Sequence, residues 1–147
     1  MTIRQLQKNI ADALNGVEAL VQGGCRAFAE DSMNVVFEVA RVLNEGGVTI
    51  VVVTPNVNRS GSGGGEGLPV EITLSIQCSE IPALNREATG HLTSLDAAEI
   101  VAHELDGETL EFTGIQQTAD ERRKIITATV TFGLETILTH DEPNERN

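Results

Sequence analysis

The chain has 147 residues, a length typical of one domain, and 40% of them are hydrophobic, which is enough for a packed core. Its formal net charge of −12 disfavours functions that depend on binding phosphate groups, because DNA and anionic membranes attract basic surfaces. With four Phe and neither Tyr nor Trp, the chain also lacks the aromatic platforms on which single-stranded nucleic acid stacks. We therefore expect no sequence-specific nucleic-acid binding and no membrane partner.

The two cysteines, Cys25 and Cys78, lie in apolar surroundings, and no C-x-x-C motif occurs. This pattern predicts neither a disulfide framework nor a zinc ribbon, but two small buried hydrophobic residues. The opening MTIRQLQKN lacks the apolar segment of a secretion signal. We expect a soluble protein kept in a reducing compartment.

In the first third of the chain, apolar spacing predicts a helix over residues 2–15, with Thr2 and Gln5 at capping-box spacing. Residues 17–30 are open to two interpretations, a short hairpin around Gly23-Gly24 or an irregular crossing followed by one strand. A second helix is predicted over residues 33–44. Its expected apolar stripe consists of Val36, Val39, Ala40 and Leu43.

A β-branched run, VTIVVVT at residues 48–54, predicts a strand that Pro55 ends. The stretch NRSGSGGGEG follows at residues 58–67. It cannot be a P-loop, since no lysine lies between Lys8 and Lys124, and its glycines miss the dinucleotide-binding spacing. A linker between two domains is disfavoured because neither half would bury a full core. We interpret residues 56–68 as a mobile loop joining two strands of one domain.

Residues 70–78 alternate strictly between apolar and polar side chains, which predicts a strand with one buried face. A third helix begins at Leu92 or Leu95 and runs to Leu105, with an inner face expected to comprise Leu95, Ala98, Ala102 and Leu105. Residues 109–117 and 124–138 are predicted to be strands joined by a polar turn, and therefore an antiparallel hairpin.

These elements predict an α+β fold with a mainly antiparallel sheet, helices packed on one face and the order α-β-α-β-β-α-β-β. We assign residues 1–138 to a single domain and residues 139–147 to a flexible tail.

No catalytic pattern is complete. His103-Glu104 begins like H-E-x-x-H, but Gly107 stands where the second histidine is needed. Four carboxylates gather on the third helix, and on a polar helix face such groups are usually just solvated. These are Asp96, Glu99, Glu104 and Asp106. We expect no enzyme, no cofactor and no metal.

The strand LPVEITLSIQCSE, the following QCSEIPALNR and the segment TGHLTSLDAAEIVAHEL resemble tail terminator proteins, a family of tail-completion (minor tail) proteins of long-tailed phages and prophages. Short stretches of similar sequence are confined to residues 70–105. The order of elements resembles that family over residues 1–138.

The resemblance implies a structural protein of the virion tail, assembled in the bacterial host cytoplasm, that forms a hexameric ring with copies of itself. Such a ring caps the tail tube and joins it to the head–tail connector, so the tail tube protein and the connector protein are the implied partners. We predict the subunit contact in the glycine-rich loop, at Asn58, Arg59, Gly61, Gly63 and Glu66. Two alternatives are a head–tail connector or neck protein, and a small-molecule or cation-binding enzyme domain that uses the helix carboxylates.

Overall fold

The computed structural model describes residues 2–30, 35–61, 67–85 and 90–139. Within these ranges the helices are α1 (Ile3–Leu14), α2 (Glu18–Gln22), α3 (Val35–Asn44) and α4 (Ser94–Leu105). The strands are β1 (Cys25–Ala29), β2 (Val48–Val52), β3 (Asn56–Arg59), β4 (Leu68–Glu80), β5 (Glu111–Asp120) and β6 (Ile125–Leu138). The predicted α+β class is confirmed.

The strands form one six-stranded sheet in the order β1-β2-β4-β6-β5, with β3 also pairing with β4. β1 and β2 are parallel, whereas all other pairs are antiparallel. β2 pairs with the second half of β4 and β3 with its first half. Pro55 separates β2 from β3, and because proline has no N–H to donate, it breaks an otherwise continuous edge. The predicted hairpin of the last two strands is confirmed.

The core lies between the sheet and the helices α1, α2 and α4. The alternation predicted for β4 is confirmed, since all five apolar side chains from Val70 to Cys78 are buried. The capping box of Thr2 and Gln5 also forms, and Gln7 from the same helix donates to the Val52 carbonyl at 3.1 Å. These contacts fix α1 across the parallel edge of the sheet.

Helix α3, which corresponds to the second predicted helix, lies on the opposite face of the sheet from the other helices. The prediction had placed all helices on one face. Arg26 lies between Cys25 and Ala27, two core residues, so its side chain points away from the core. Its guanidinium lies 3.8 Å from the Glu38 carboxylate of α3. Thr49, the cross-strand partner of Arg26, is fully buried although it also points away from the core. α3 therefore covers β1 and β2 from the other side.

Two helix faces are rotated relative to their predicted positions. In α3, Val42 and Leu43 are buried, whereas Val36, which was predicted to be in the stripe, is 74% exposed. In α4, Leu95 is 41% exposed, and the buried face consists of Ser94, Ala97, Ala98, Val101 and Ala102. Small alanines let the helix approach the sheet closely, so the smallest side chains form the contact instead of the largest.

The hairpin interpretation of residues 17–30 is wrong. Glu18–Gln22 is a short helix, and only the second segment, Cys25–Ala29, is a strand, as the alternative interpretation predicted. Gly24 has a φ of +80° in the turn between them, a conformation that side chains with a Cβ seldom adopt. The helix and this turn let the chain enter β1 parallel to β2.

Candidate assembly surface

The sheet extends beyond its helices at the end that carries β3, the start of β4 and the end of β6. Large apolar side chains are exposed there. Leu68 is 63% exposed, Ile137 is 53% exposed, and Val57 of β3 is 37% exposed. The register places Leu68 on the core face of the sheet, because it pairs with Leu138, and Val57 on the same face, because it pairs with Ile72. Ile137 pairs with Pro69 and therefore lies on the opposite face, at the same end of the sheet. This group of Val57, Leu68 and Ile137 is called the apolar end below.

Two of the predicted contact residues belong to a strand and not to a loop. Asn58 and Arg59 are in β3, where they pair with Glu71 and Val70 of β4. Gly61 follows with a φ of +71° in open space. Gly63 and Glu66 lie outside the described residues. The loop predicted over residues 56–68 is therefore too long at both ends.

The backbone at Gly67 admits only glycine. Its φ is +89°, and a Cβ there would come within 2.5 Å of the Ile137 side chain and 2.8 Å of the Leu138 carbonyl oxygen. Contacts below about 3 Å force atoms to move, and the positive φ adds strain for any other residue. Gly67 thus lets the chain turn into β4 directly against the end of β6, which positions Leu68 beside it.

An acidic cleft of about 640 Å³ lies beside the apolar end. Its lining includes four carboxylates, those of Glu71, Glu108, Glu111 and Glu135. Glu71 and Glu135 are cross-strand neighbours in β4 and β6. Like charges placed directly opposite each other destabilise a sheet, so this surface repels anions at some expense of stability.

The carboxylates of α4 do not converge on one site. Asp96 completes the capping box of the helix with Thr93, while Glu104 is exposed. Glu99, His103 and Asp106 line a cavity of about 320 Å³ between α4 and β5. Asp106 Oδ1 already accepts a hydrogen bond from the Phe112 N–H at 3.0 Å. Among the described residues, no group of three or more His, Cys, Asp or Glu side chains could hold a metal ion.

Both cysteine thiols are enclosed in the core. Cys25 and Cys78 are free and buried, which confirms their predicted place in the core. Burial raises the pKa of the Cys25 thiol to about 12, helped by the nearby Glu80 carboxylate. Burial likewise raises the pKa of Cys78. A thiol held protonated in this way is a poor nucleophile.

No protein-family model matches the chain, and no curated protein matches it. A crystal structure of a protein from Akkermansia muciniphila is weakly similar, with a TM-score of 0.32 and 11% identity. That similarity covers 97% of this chain and 81% of the other, and at this TM-score it carries no argument about function. No helix among the described residues is long and apolar enough to cross a membrane.

Proposed function

We propose that the chain is a structural protein of a phage or prophage tail, which caps the tail tube as a ring and joins it to the head–tail connector. The single observation that carries the proposal is the apolar end of the sheet. Leu68 and Ile137 lie on adjacent strands and on opposite faces of the sheet next to the glycine-rich segment, and each is more than half exposed. Large apolar side chains exposed on both faces at one end of a sheet are typical of a region that another protein covers.

The acidic cleft supports the same proposal. A protein at the end of a tail tube meets DNA as it passes, and a surface with four carboxylates does not retain a polyanion. A ring also requires a contact between two different surfaces of each copy. The apolar end offers one such surface, and the acidic cleft lies next to it.

The two alternatives would use different parts of the protein. A connector or neck protein would also use the apolar end, but it would bind the connector in the absence of the tail tube. An enzyme domain would use the cavity lined by Glu99, His103 and Asp106, where one carboxylate is already engaged with the backbone. We favour the assembly role because the apolar side chains of Leu68 and Ile137 are largely exposed, whereas one of the carboxylates that line the cavity is already engaged.

The test is tail-tube length in the phage or prophage that carries the chain. Removing the protein is expected to yield tubes of irregular length that lack heads, visible by electron microscopy. Leu68→Glu is expected to give the same defect while the purified protein remains folded, because a charge replaces an exposed apolar contact. Val36→Glu on α3 is the matched control, since Val36 is also largely exposed but lies far from the apolar end along the chain and on another element.

Normal tails in the absence of the protein would contradict the proposal. If tubes have normal length but do not join heads, the connector alternative is supported instead. Loss of function in Val36→Glu but not in Leu68→Glu would move the contact from the apolar end to α3.

A further inference from the structure

The two edge strands of the sheet differ in whether their outward backbone groups are hydrogen-bonded. At the β1 edge, Asn15 donates from Nδ2 to the Ala27 carbonyl at 2.9 Å and accepts from the Ala27 N–H at 2.8 Å. This side chain thus satisfies the outward backbone groups as a neighbouring strand would. At the other edge, β5 pairs with β6 alone. Beyond Phe112, whose N–H donates to Asp106, no backbone or side-chain group of the described residues bonds to the outer side of β5.

From Gly114 onward, the open edge has none of the usual protection against pairing with another strand. β5 is ten residues long, and residues 112–119 include no charged side chain and no proline. Its one irregularity is a bulge between Phe112 and Gly114, near the start. Proteins normally protect exposed edges with lysine, proline, bulges or very short strands, because unpaired N–H and C=O groups recruit other strands. The part of β5 from Gly114 onward is regular and uncharged.

The charges at the two ends of β5 are opposite in sign. Glu108 and Glu111 lie at its start. The turn that follows its end contains Arg122, Arg123 and Lys124, three of the ten Lys and Arg residues in the chain, all of them exposed. These three cations outnumber the two carboxylates beside them, Asp120 and Glu121. When two copies of β5 lie antiparallel, the acidic start of each comes beside the basic turn of the other.

An apolar surface along the same edge is also left uncovered. Phe112, 38% exposed, packs edge-on against Phe132 with ring centroids 6.1 Å apart. With Ile115 and Ala102 it lines the cavity of about 320 Å³ between α4 and β5. A strand added outside β5 would bring further side chains over this cavity, and covering apolar surface favours association.

We propose that a second copy of the chain pairs with β5 along this edge. The two strands run antiparallel about a two-fold axis near Gln116, which is midway between the acidic and basic ends, and the two sheets become one. Such a contact uses the same surface on both copies and closes at two. It is therefore separate from the ring contact of the proposed function, which needs two different surfaces.

Cross-linking tests the position of the axis. Because the native cysteines are buried, a single cysteine at Gln116→Cys is the only accessible thiol, and a short bis-maleimide is expected to join two copies there. Ala119→Cys is expected to cross-link poorly, since three residues from the axis on each copy separate the two thiols by roughly 20 Å. Gln77→Cys, exposed on the central strand β4, controls for random collision.

Sedimentation velocity over about 1 to 100 μM tests the association itself, a range in which weak protein pairs are detected. The wild type is expected to form a dimer. Gln116→Lys is expected to weaken it at least about tenfold, because two ammonium groups would meet across the axis. Gln77→Lys adds the same charge to β4 and is expected to leave the dimer intact.

A wild type that stays monomeric over this range overturns the proposal, as does a dimer that Gln116→Lys does not weaken. Equal cross-linking of Ala119→Cys and Gln116→Cys also overturns it. The tube-length assay remains distinct, since Gln116→Lys is expected to cap tubes normally. A capping defect in Leu68→Glu with an unchanged dimer would support the proposed function and the dimer independently.

Discussion

The two ends of β4 have the same alternating pattern but different surroundings. At the Glu80 end, Leu74, Ile76 and Cys78 are completely buried beneath the helices. At the other end, Leu68 points to the same side of the sheet as Leu74, six residues away, yet 63% of its side chain is exposed. One strand thus contributes both the centre of the core and the apolar end.

Element length explains the difference. A helix rises about 1.5 Å per residue, so the 12 residues of α4 span about 18 Å. A strand rises about 3.3 Å per residue, so the 13 residues of β4 span about 43 Å. One helix cannot cover such a strand, and the uncovered part lies toward the glycine-rich segment. An apolar residue in a strand is therefore part of the core only where a helix reaches it.

The largest expected effect comes from truncating a leucine to alanine in the buried part of β4, compared with the same change at its exposed end. Leu74→Ala is expected to lower the free energy of unfolding by about 2 to 5 kcal/mol, because it leaves a cavity in a packed core. Leu68→Ala is expected to change it by about 0.5 kcal/mol or less, because the side chain is already mostly in water. Urea denaturation of the two variants and the wild type measures both. Equal losses would show that the two ends are equally packed.

A smaller effect is expected at Glu80, which closes the buried end of β4. Its carboxylate accepts hydrogen bonds from the Ser94 N–H at the start of α4 and from Asn85 Nδ2, which also donates to the Leu92 carbonyl. Glu80→Gln replaces one acceptor oxygen by a donor and leaves a buried N–H unsatisfied. We expect a loss of about 1 to 3 kcal/mol in the free energy of unfolding.

Glu71→Gln is the matched control for Glu80→Gln, because it makes the same change on the same strand at an exposed position. We expect it to be neutral or slightly stabilising, since it removes the repulsion from Glu135 across the strands. If both variants lose the same stability in urea denaturation, the hydrogen bonds of Glu80 contribute nothing specific.

The sequence predicted β4 well because one covered face produces strict alternation. It did not predict β3 or α2. All four residues of β3 are exposed, so no face of it selects apolar side chains, and α2 is only five residues long, too short for a helical period to emerge. The strand and the short helix are fixed by their neighbours, β4 and β1, and not by their own sequence patterns.

The apolar end was missed for a related reason. Leu68 continues the apolar pattern of β4, and sequence alone does not show that it lies outside the core. Ile137 lies on the opposite face of β6 from the buried residues of that strand, and sequence alone does not show how exposed it is. The signal that could have revealed them is length, because the predicted last strand is much longer than any helix available to cover it. The Asn15 contact with Ala27 was equally invisible, since it depends on where α1 crosses β1.

The smallest expected effect lies on the outer face, at the exposed pair of Glu38 and Arg41 on α3. Their closest atoms are 2.7 Å apart, and the hydrogen bond and charge of Arg41, with a smaller contribution from Arg26, lower the pKa of Glu38 from its ordinary value of 4.5. A lowered pKa in the folded protein stabilises it above the unfolded pKa, and this contribution is lost as the pH falls through the folded value. Glu38→Gln is therefore expected to lower Tm slightly at pH 7 and not at all in acid well below 4.5, with the difference at pH 7 shrinking in high salt. A Tm difference that stays the same at pH 7 and in acid well below 4.5 would show that Glu38 acts through packing instead of through its charge.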